Sequence, residues 1–169
     1  DPDTGTLKWH YQWTPHGLWD YDGVTENIPL EITYEGRRRQ DMIHADRNGY
    51  FYAIDRTNGQ FVFAKPFVRT TWATGFTPAG RPIINPKAVP SYEGVEVCPG
   101  AAGGKQWTGM AYSPRTRLAY VPAIENGVLD SKRLQLRRAL HQDGAVRADG
   151  HRGAQRLLAL GRAAGDDHD

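Results

Sequence analysis

The stretch Asp46-Arg47-Asn48-Gly49-Tyr50-Phe51-Tyr52-Ala53-Ile54-Asp55-Arg56-Thr57-Asn58-Gly59 decides how this chain folds. Asn48-Gly49 is a strong hairpin-turn signal, and Tyr50 to Ile54 is a strand-forming run of aromatic and apolar residues. The next turn opens a spacing that occurs twice. Asp55-x-x-x-Gly59-x-x-x-Phe63 repeats Asp1-x-x-x-Gly5-x-x-x-Trp9 at an offset of 54 residues in all three positions. In such a unit the aspartate caps the turn, the glycine takes positive φ, and the aromatic ring packs between neighbouring sheets. A strand–turn–strand repeated at that distance predicts stacked four-stranded sheets, as in propeller blades. The alternative is two unrelated hairpins sharing a common turn; the identical spacing favours a true repeat.

Working outward, Asp1 to Gln12 reads as a turn entering a strand, with Leu7, Trp9 and Tyr11 on one face. Ile28 to Tyr34 predicts a strand, and Glu35-Gly36-Arg37-Arg38-Arg39-Gln40 an exposed turn whose arginines form a solvated tip. Met42-Ile43-His44 begins the strand that the Asn-Gly turn closes. Pro66 to Pro90 is rich in Pro, Gly and Thr and predicts long loops with short strands around Thr71 and Ile83. After the flexible lead-in Cys98-Pro99-Gly100-Ala101-Ala102-Gly103-Gly104, strands follow at Met110-Ala111-Tyr112 and Leu118-Ala119-Tyr120-Val121-Pro122. Nothing before residue 127 has helical periodicity, so the fold class is all-β.

Composition is globular: 39% hydrophobic and 24% charged, with no apolar run near the ~20 residues that a membrane helix needs. A net charge of +2 argues neither for nucleic acid nor for anionic lipid. The first residues read as the middle of a structural unit. Cys98 is the single cysteine and has no internal disulfide partner. All 18 aromatic residues precede residue 127, and Val128 to Asp169 has none. The expected division is therefore 1–126 as the folded unit and 127–169 as an unrelated tail, disordered or translated out of frame near Gly127 or Val128. Within it, Lys132 to Leu140 and Ala154 to Ala164 could each form a short helix. His141, His151 and His168 lack metal-site spacing.

Trp19-Asp20-Tyr21-Asp22-Gly23 holds two carboxylates at i and i+2 between aromatic rings. If extended, it turns both carboxylates to one face, where they suit a hard cation or an acid–base group beside one. The same pattern is also that of a polar turn with aromatic flanks.

Taken in order, Asp1-Pro-Asp-Thr-Gly-Thr-Leu-Lys-Trp-His-Tyr-Gln, Thr14-Pro15-His16, Trp19-Asp20-Tyr21-Asp22-Gly23, Asp46-Arg47-Asn48-Gly49, Asp55-Arg56-Thr57-x-Gly59, Gly103-Gly104-Lys105, Trp107 and Met110-Ala111-Tyr112-Ser113-Pro114 resemble the methanol/ethanol-dehydrogenase family of pyrroloquinoline quinone (PQQ) enzymes. The resemblance covers residues 1 to about 126. It implies two to three blades of an eight-bladed β-propeller, with the Asp-x-x-x-Gly-x-x-x-Trp units as blade-docking motifs. It also implies a periplasmic enzyme, homodimeric at full length, that oxidises primary alcohols and passes electrons to a cytochrome c. The fragment alone is expected to be inactive.

By that resemblance Asp20 is the catalytic general base, taking the hydroxyl proton as hydride moves to the quinone. Arg47 hydrogen-bonds the quinone oxygens through its guanidinium fork. Gln106 stands where the family has an asparagine that contacts the quinone, and Trp107 borders that position as a cofactor contact or a structural ring. Asp20 and Asp22 are the metal ligands retained in this chain. Asp22, two residues after the base, matches the lanthanide-dependent members, because a trivalent ion of high coordination number calls for an additional carboxylate. Calcium is the alternative. Gly17 departs from the family's usual aspartate, and Gln106 is one methylene longer than the usual residue. The competing reading is a non-catalytic propeller module for binding or assembly, in which Asp20 and Asp22 only organise a turn.

Overall fold

The computed structural model describes residues 1–125, 127–130 and 155–160. Its centre is a four-stranded antiparallel meander of β1 (Asn27–Tyr34), β2 (Arg37–Ala45), β3 (Tyr50–Asp55) and β4 (Phe61–Pro66), paired in that order. Strand β1 alternates exposed and half-buried residues, as an edge strand with one face on a core does. Pro29, which has no N–H for a ladder, is tolerated there. Glu35 and Gly36 join β1 to β2 at φ 49° and 70°, the left-handed pair of a tight hairpin. The expected turn over Glu35–Gln40 is therefore shorter, because Arg37 to Gln40 pair with Glu31 to Tyr34. Arg39 is not part of a solvated tip either: it lies 3.2 Å from both Asp41 and Asp55.

Strand β3 has a core on each side. Phe51 and Ala53 pack with Ile43, Met110 and Val121. Tyr50 and Tyr52, pointing the other way, pack with Trp19, Tyr21 and Trp72. Alternation along a strand forces this split, and a strand buried on both faces sits in the middle of a stack of layers. Further ladders are β5 (Ala73–Phe76) with β6 (Pro82–Ile84), and β7 (Val95–Val97) with β10 (Val128–Asp130). A third sheet joins β8 (Ala111–Ser113), β9 (Leu118–Ile124) and β11 (Gln155–Leu160). The single described helix is one 3-10 turn at Pro86–Ala88. Among the described residues, no helix is long and apolar enough to cross a membrane.

Two further expectations need correction. Asp1 to Thr4 turn as expected, with Gly5 N–H donating to the Asp1 carbonyl, but Leu7 to Tyr11 join no ladder among the described residues, and Leu7 is exposed. Side chains rather than backbone bonds hold that segment. Second, Gln155 to Leu160 are not helical: their backbone pairs with β9, whose open edge offers a row of donors and acceptors. The helix expected over Lys132–Leu140 lies outside the described residues.

The two copies of the repeat meet. Trp9 Nε1 donates to the Arg56 carbonyl at 3.1 Å, and the indole lies on Gly59, where an added Cβ would come within 2.8 Å of the ring. The first copy's aromatic thus docks on the second copy's turn. Gly59 and Gly5 both have positive φ (76° and 67°), so alanine strains the backbone by about 1–2 kcal/mol at either site. Only at Gly59 must the indole also move. Gly59→Ala is expected to cost about 1–3 kcal/mol more than Gly5→Ala in urea unfolding; equal losses would show that Trp9 is not seated there.

Candidate active site

The site is built on the turn Asp46-Arg47-Asn48-Gly49. Gly49 N–H donates to the Asp46 carbonyl at 3.1 Å, which makes Arg47 and Asn48 the central residues and leaves Gly49 beyond them at φ 90°. Asn48 is fully buried, and its Nδ2 donates to Tyr52 Oη, Thr14 Oγ1 and the Trp13 carbonyl, at 2.8, 3.1 and 3.3 Å. Its Oδ1 accepts the Tyr50 N–H at 3.0 Å, and its own carbonyl accepts Trp72 Nε1 at 2.8 Å. The turn cannot shift without breaking this set.

Arg47 is held just as closely. Gly104 N–H donates to its carbonyl, and a Cβ on Gly103 would fall 2.1 Å from its side chain. Its two terminal nitrogens donate to the Asp22 carbonyl at 3.1 Å and the Ala101 carbonyl at 2.5 Å. One also lies 3.5 Å from the Asp20 carboxylate. Nε is buried and has no hydrogen-bond partner among the described residues. A buried guanidinium N–H left unpaired is costly.

Trp19 and Tyr21 anchor the carboxylate segment from below. Both are buried, with Trp19 Nε1 on the Ala88 carbonyl at 2.7 Å and Tyr21 Oη on the Pro99 carbonyl at 2.5 Å. Burial alternates as expected, leaving Asp20 and Asp22 exposed, but the segment is not uniformly extended: Asp20 sits at φ 63°. Left-handed backbone strains a side-chain-bearing residue by about 1–2 kcal/mol, though aspartate adopts it more readily than most.

Asp22, Gly23, Val24 and Thr25 form one wall of a cleft of about 500 Å³, with Lys105, Gln106 and Trp107 on the other and Arg47 between them. Asp20 stands at the edge of this cleft rather than in its lining. Trp107 is 78% exposed, so it is not a structural core ring. The Gln106 amide donates to the Ala102 carbonyl.

The comparisons with known proteins bear on this geometry. Residues 1–70 match the model of a family described as PQQ, glucose/ethanol/alcohol dehydrogenase, β-propeller domain. The chain is 46% identical over 136 residues to the quinoprotein alcohol dehydrogenase PedH of Pseudomonas putida, covering 76% of this chain and 23% of that one. It is 42% identical over 125 residues to the lanthanide-dependent methanol dehydrogenase of Methylacidiphilum fumariolicum, covering 72% and 20%. The crystal structure of the quinohemoprotein alcohol dehydrogenase of Comamonas testosteroni superposes with a TM-score of 0.71 at 41% identity, over 75% of this chain and 19% of that one. The chain belongs to the PQQ-dependent alcohol dehydrogenase family. It spans about a fifth of the length of these relatives.

For a quinoprotein dehydrogenase segment, the arrangement unites most of the residues singled out in the sequence. Arg47 touches both Asp20 and the Asp22 backbone, while Gln106 and Trp107 face Asp22 across the cleft. Among the described residues no group of three or more acidic, His or Cys side chains converges to hold a metal ion, so Asp20 and Asp22 are at most part of a ligand set. Cys98 is a free, buried thiol.

Sequence reasoning missed the polar scaffold behind the cleft. Lys105, fully buried, donates from Nζ to Glu26 Oε2 and the Gln106 carbonyl, both at 3.1 Å. Glu26 Oε1 accepts the Met110 N–H. His44, stacked on Trp13, sets one ring nitrogen against the Glu26 carbonyl at 3.1 Å and the other against Asp46 Oδ1 at 3.2 Å and Thr25 Oγ1 at 3.1 Å. These partners are 18 to 84 residues apart, apart from the local His44–Asp46 and Lys105–Gln106 pairs, so no short motif announces them.

Partial burial works to raise the Glu26 carboxyl, yet the Met110 N–H and the Lys105 ammonium hold it below the usual carboxylate range. A depressed folded-state pKa contributes stability above the unfolded value and loses it as pH falls through the folded one. The chain is therefore expected to lose urea resistance as pH drops below about 4.5, the ordinary glutamate region. Glu26→Gln should flatten that part of the profile; an unchanged acid limb would mean that the pair is not formed.

Proposed function

We propose that this chain is the part of a PQQ-dependent alcohol dehydrogenase that carries its catalytic base, one cofactor-binding arginine and part of its metal site. The observation that carries the proposal is the arginine bridge: Arg47, which lines the cleft with Gln106 and Trp107, contacts the Asp20 carboxylate and the Asp22 backbone at its rim. The Arg47 guanidinium, the Gln106 amide and an exposed indole line the cleft as a donor set that fits a flat, oxygen-rich quinone. Arg47, Gln106 and Trp107 would hold it. Asp20 and Asp22 would hold a metal ion together with ligands from elsewhere in the complete enzyme.

When bound, PQQ supplies the acceptor for the alcohol's hydride and the metal ion supplies Lewis acidity. Asp20 takes the hydroxyl proton of a primary alcohol as general base. The strained backbone at Asp20 and the Arg47 guanidinium 3.5 Å away fix the direction of its carboxylate. Asp22 adds the second negative charge that a trivalent lanthanide needs, with calcium the alternative ion. The complete enzyme works in the periplasm and hands electrons to a cytochrome c.

In the complete enzyme containing this segment, Asp20→Ala is expected to lower PQQ-dependent dye reduction by about 100-fold or more, the usual weight of a positioned base. Activity equal to wild type would remove Asp20 from that role. La³⁺ or Ce³⁺ is expected to support turnover, and Asp22→Ala to shift the metal preference toward Ca²⁺ in reconstitution of the apoenzyme. Turnover with calcium alone in the wild type would refute the lanthanide assignment.

A further inference from the structure

One side chain ties together the segments that form the cleft. Glu26 directly follows the wall formed by Asp22 to Thr25. Its two carboxylate oxygens accept from Lys105 Nζ, at 3.1 Å, and from the Met110 N–H, both on the loop that forms the opposite wall. Its backbone carbonyl faces His44, whose other ring nitrogen lies 3.2 Å from Asp46, the first residue of the Arg47 turn. Lys105 relays the tie onward by donating to the Gln106 carbonyl, so the backbone immediately before Trp107 is fixed through Glu26.

We propose that Glu26 is a positioning residue, setting the width of the cleft and the placement of Gln106 and Trp107 relative to Arg47. The inference rests on the reading of the cleft as a PQQ site, but its structural half stands apart from that reading. Three features single Glu26 out. Lys105 is completely buried, so its ammonium depends on Glu26 for a counter-charge. Charge-assisted bonds are the stronger kind and are directional, so two of them from one carboxylate fix both distance and orientation. Trp107 is 78% exposed and has little packing of its own to hold it, so the backbone anchor beside it decides where the ring stands.

The test uses the full chain labelled with 5-fluorotryptophan, which gives one fluorine resonance for each of the five tryptophans, Trp9, Trp13, Trp19, Trp72 and Trp107. A Trp107→Phe sample assigns the Trp107 signal. In Glu26→Ala the Trp107 resonance is expected to move or broaden while those of the buried Trp19 and Trp72 stay in place. Glu26→Gln, which retains an acceptor for Met110 N–H, is expected to restore the Trp107 signal in part. PQQ titrated into the apoenzyme of the complete protein containing this segment should bind Glu26→Ala about tenfold more weakly than wild type, the loss from misplacing one or two polar contacts. If the Trp107 signal responds while Glu26→Ala leaves the PQQ affinity of the complete enzyme unchanged, the reading of the cleft as the PQQ site fails and the positioning role stands. An unmoved Trp107 resonance with unchanged PQQ affinity would overturn the role. So would the collapse of all five signals in both variants, since Glu26 would then be needed for folding rather than placement.

Discussion

Everything near the cleft depends on one buried asparagine amide. Asn48 bonds to the Trp13–Thr14 segment, to Tyr52 across the hairpin, to the Tyr50 N–H and, through its carbonyl, to Trp72. Without the side-chain amide the Tyr50 N–H would be an unpaired polar group in an aromatic core, at about 1–3 kcal/mol, and the Tyr52 hydroxyl and Trp13 carbonyl would be left with their mutual bond. Because the amide is saturated, the turn has one conformation, and Arg47 beside it has one exit direction. Two glycines then press on that turn, Gly103 against Arg47 and Gly104 against Gly49, so the loop carrying Lys105 to Trp107 starts from a fixed point. The rigidity of the site comes from polar satisfaction inside an apolar shell, not from the exposed carboxylates themselves.

The two faces of β3 divide the work. Phe51 and Ala53 bind the meander to the sheet that contains Val121. Tyr50 and Tyr52 belong to the aromatic layer on which Trp19 and Tyr21 rest, and these in turn carry Asp20 and Asp22. Burial alone would favour any compact stack of layers. The Nε1–H and Oη groups of Trp19, Tyr21 and Trp72 each choose one backbone carbonyl, and that choice turns a stack into a particular register. The exposed ion pair between Arg47 and Asp20 adds little stability; its use is directional.

Much of this was legible in the sequence, and the limits have physical causes. Alternation and turn residues revealed the meander, since a strand's period and an Asn-Gly turn are local properties. The Asp-x-x-x-Gly-x-x-x-Trp spacing revealed the repeat because turn and docking ring lie in one short segment. The extent of the turn before Arg37 was misjudged: three arginines look like a tip, whereas Asp41 and Asp55 recruit Arg39 to the sheet from positions local reading does not connect. Asp20 and Arg47 were found by type and resemblance, but not the left-handed backbone at Asp20, whose neighbours Trp19 and Tyr21 are tied to the distant Ala88 and Pro99 carbonyls. The Glu26–Lys105 tie was invisible for the same reason, with partners 79 residues apart and no pattern to mark a lysine as buried.

The docking of Trp9 on Gly59 also says something about the order in which this structure can come into being. The indole reaches the Arg56 carbonyl 47 residues further along the chain, and Tyr21 reaches Pro99 after 78. In the direction of synthesis, Trp9 and Tyr21 are therefore made before the sockets that receive them. Each hairpin that folds completes the seat for an aromatic already waiting, and closing such long loops is slow compared with forming the hairpins themselves. Assembly is in this sense retrospective: later residues fix the place of earlier ones. Residues 7–11, which join no ladder among the described residues, take their order from hairpins synthesised after them.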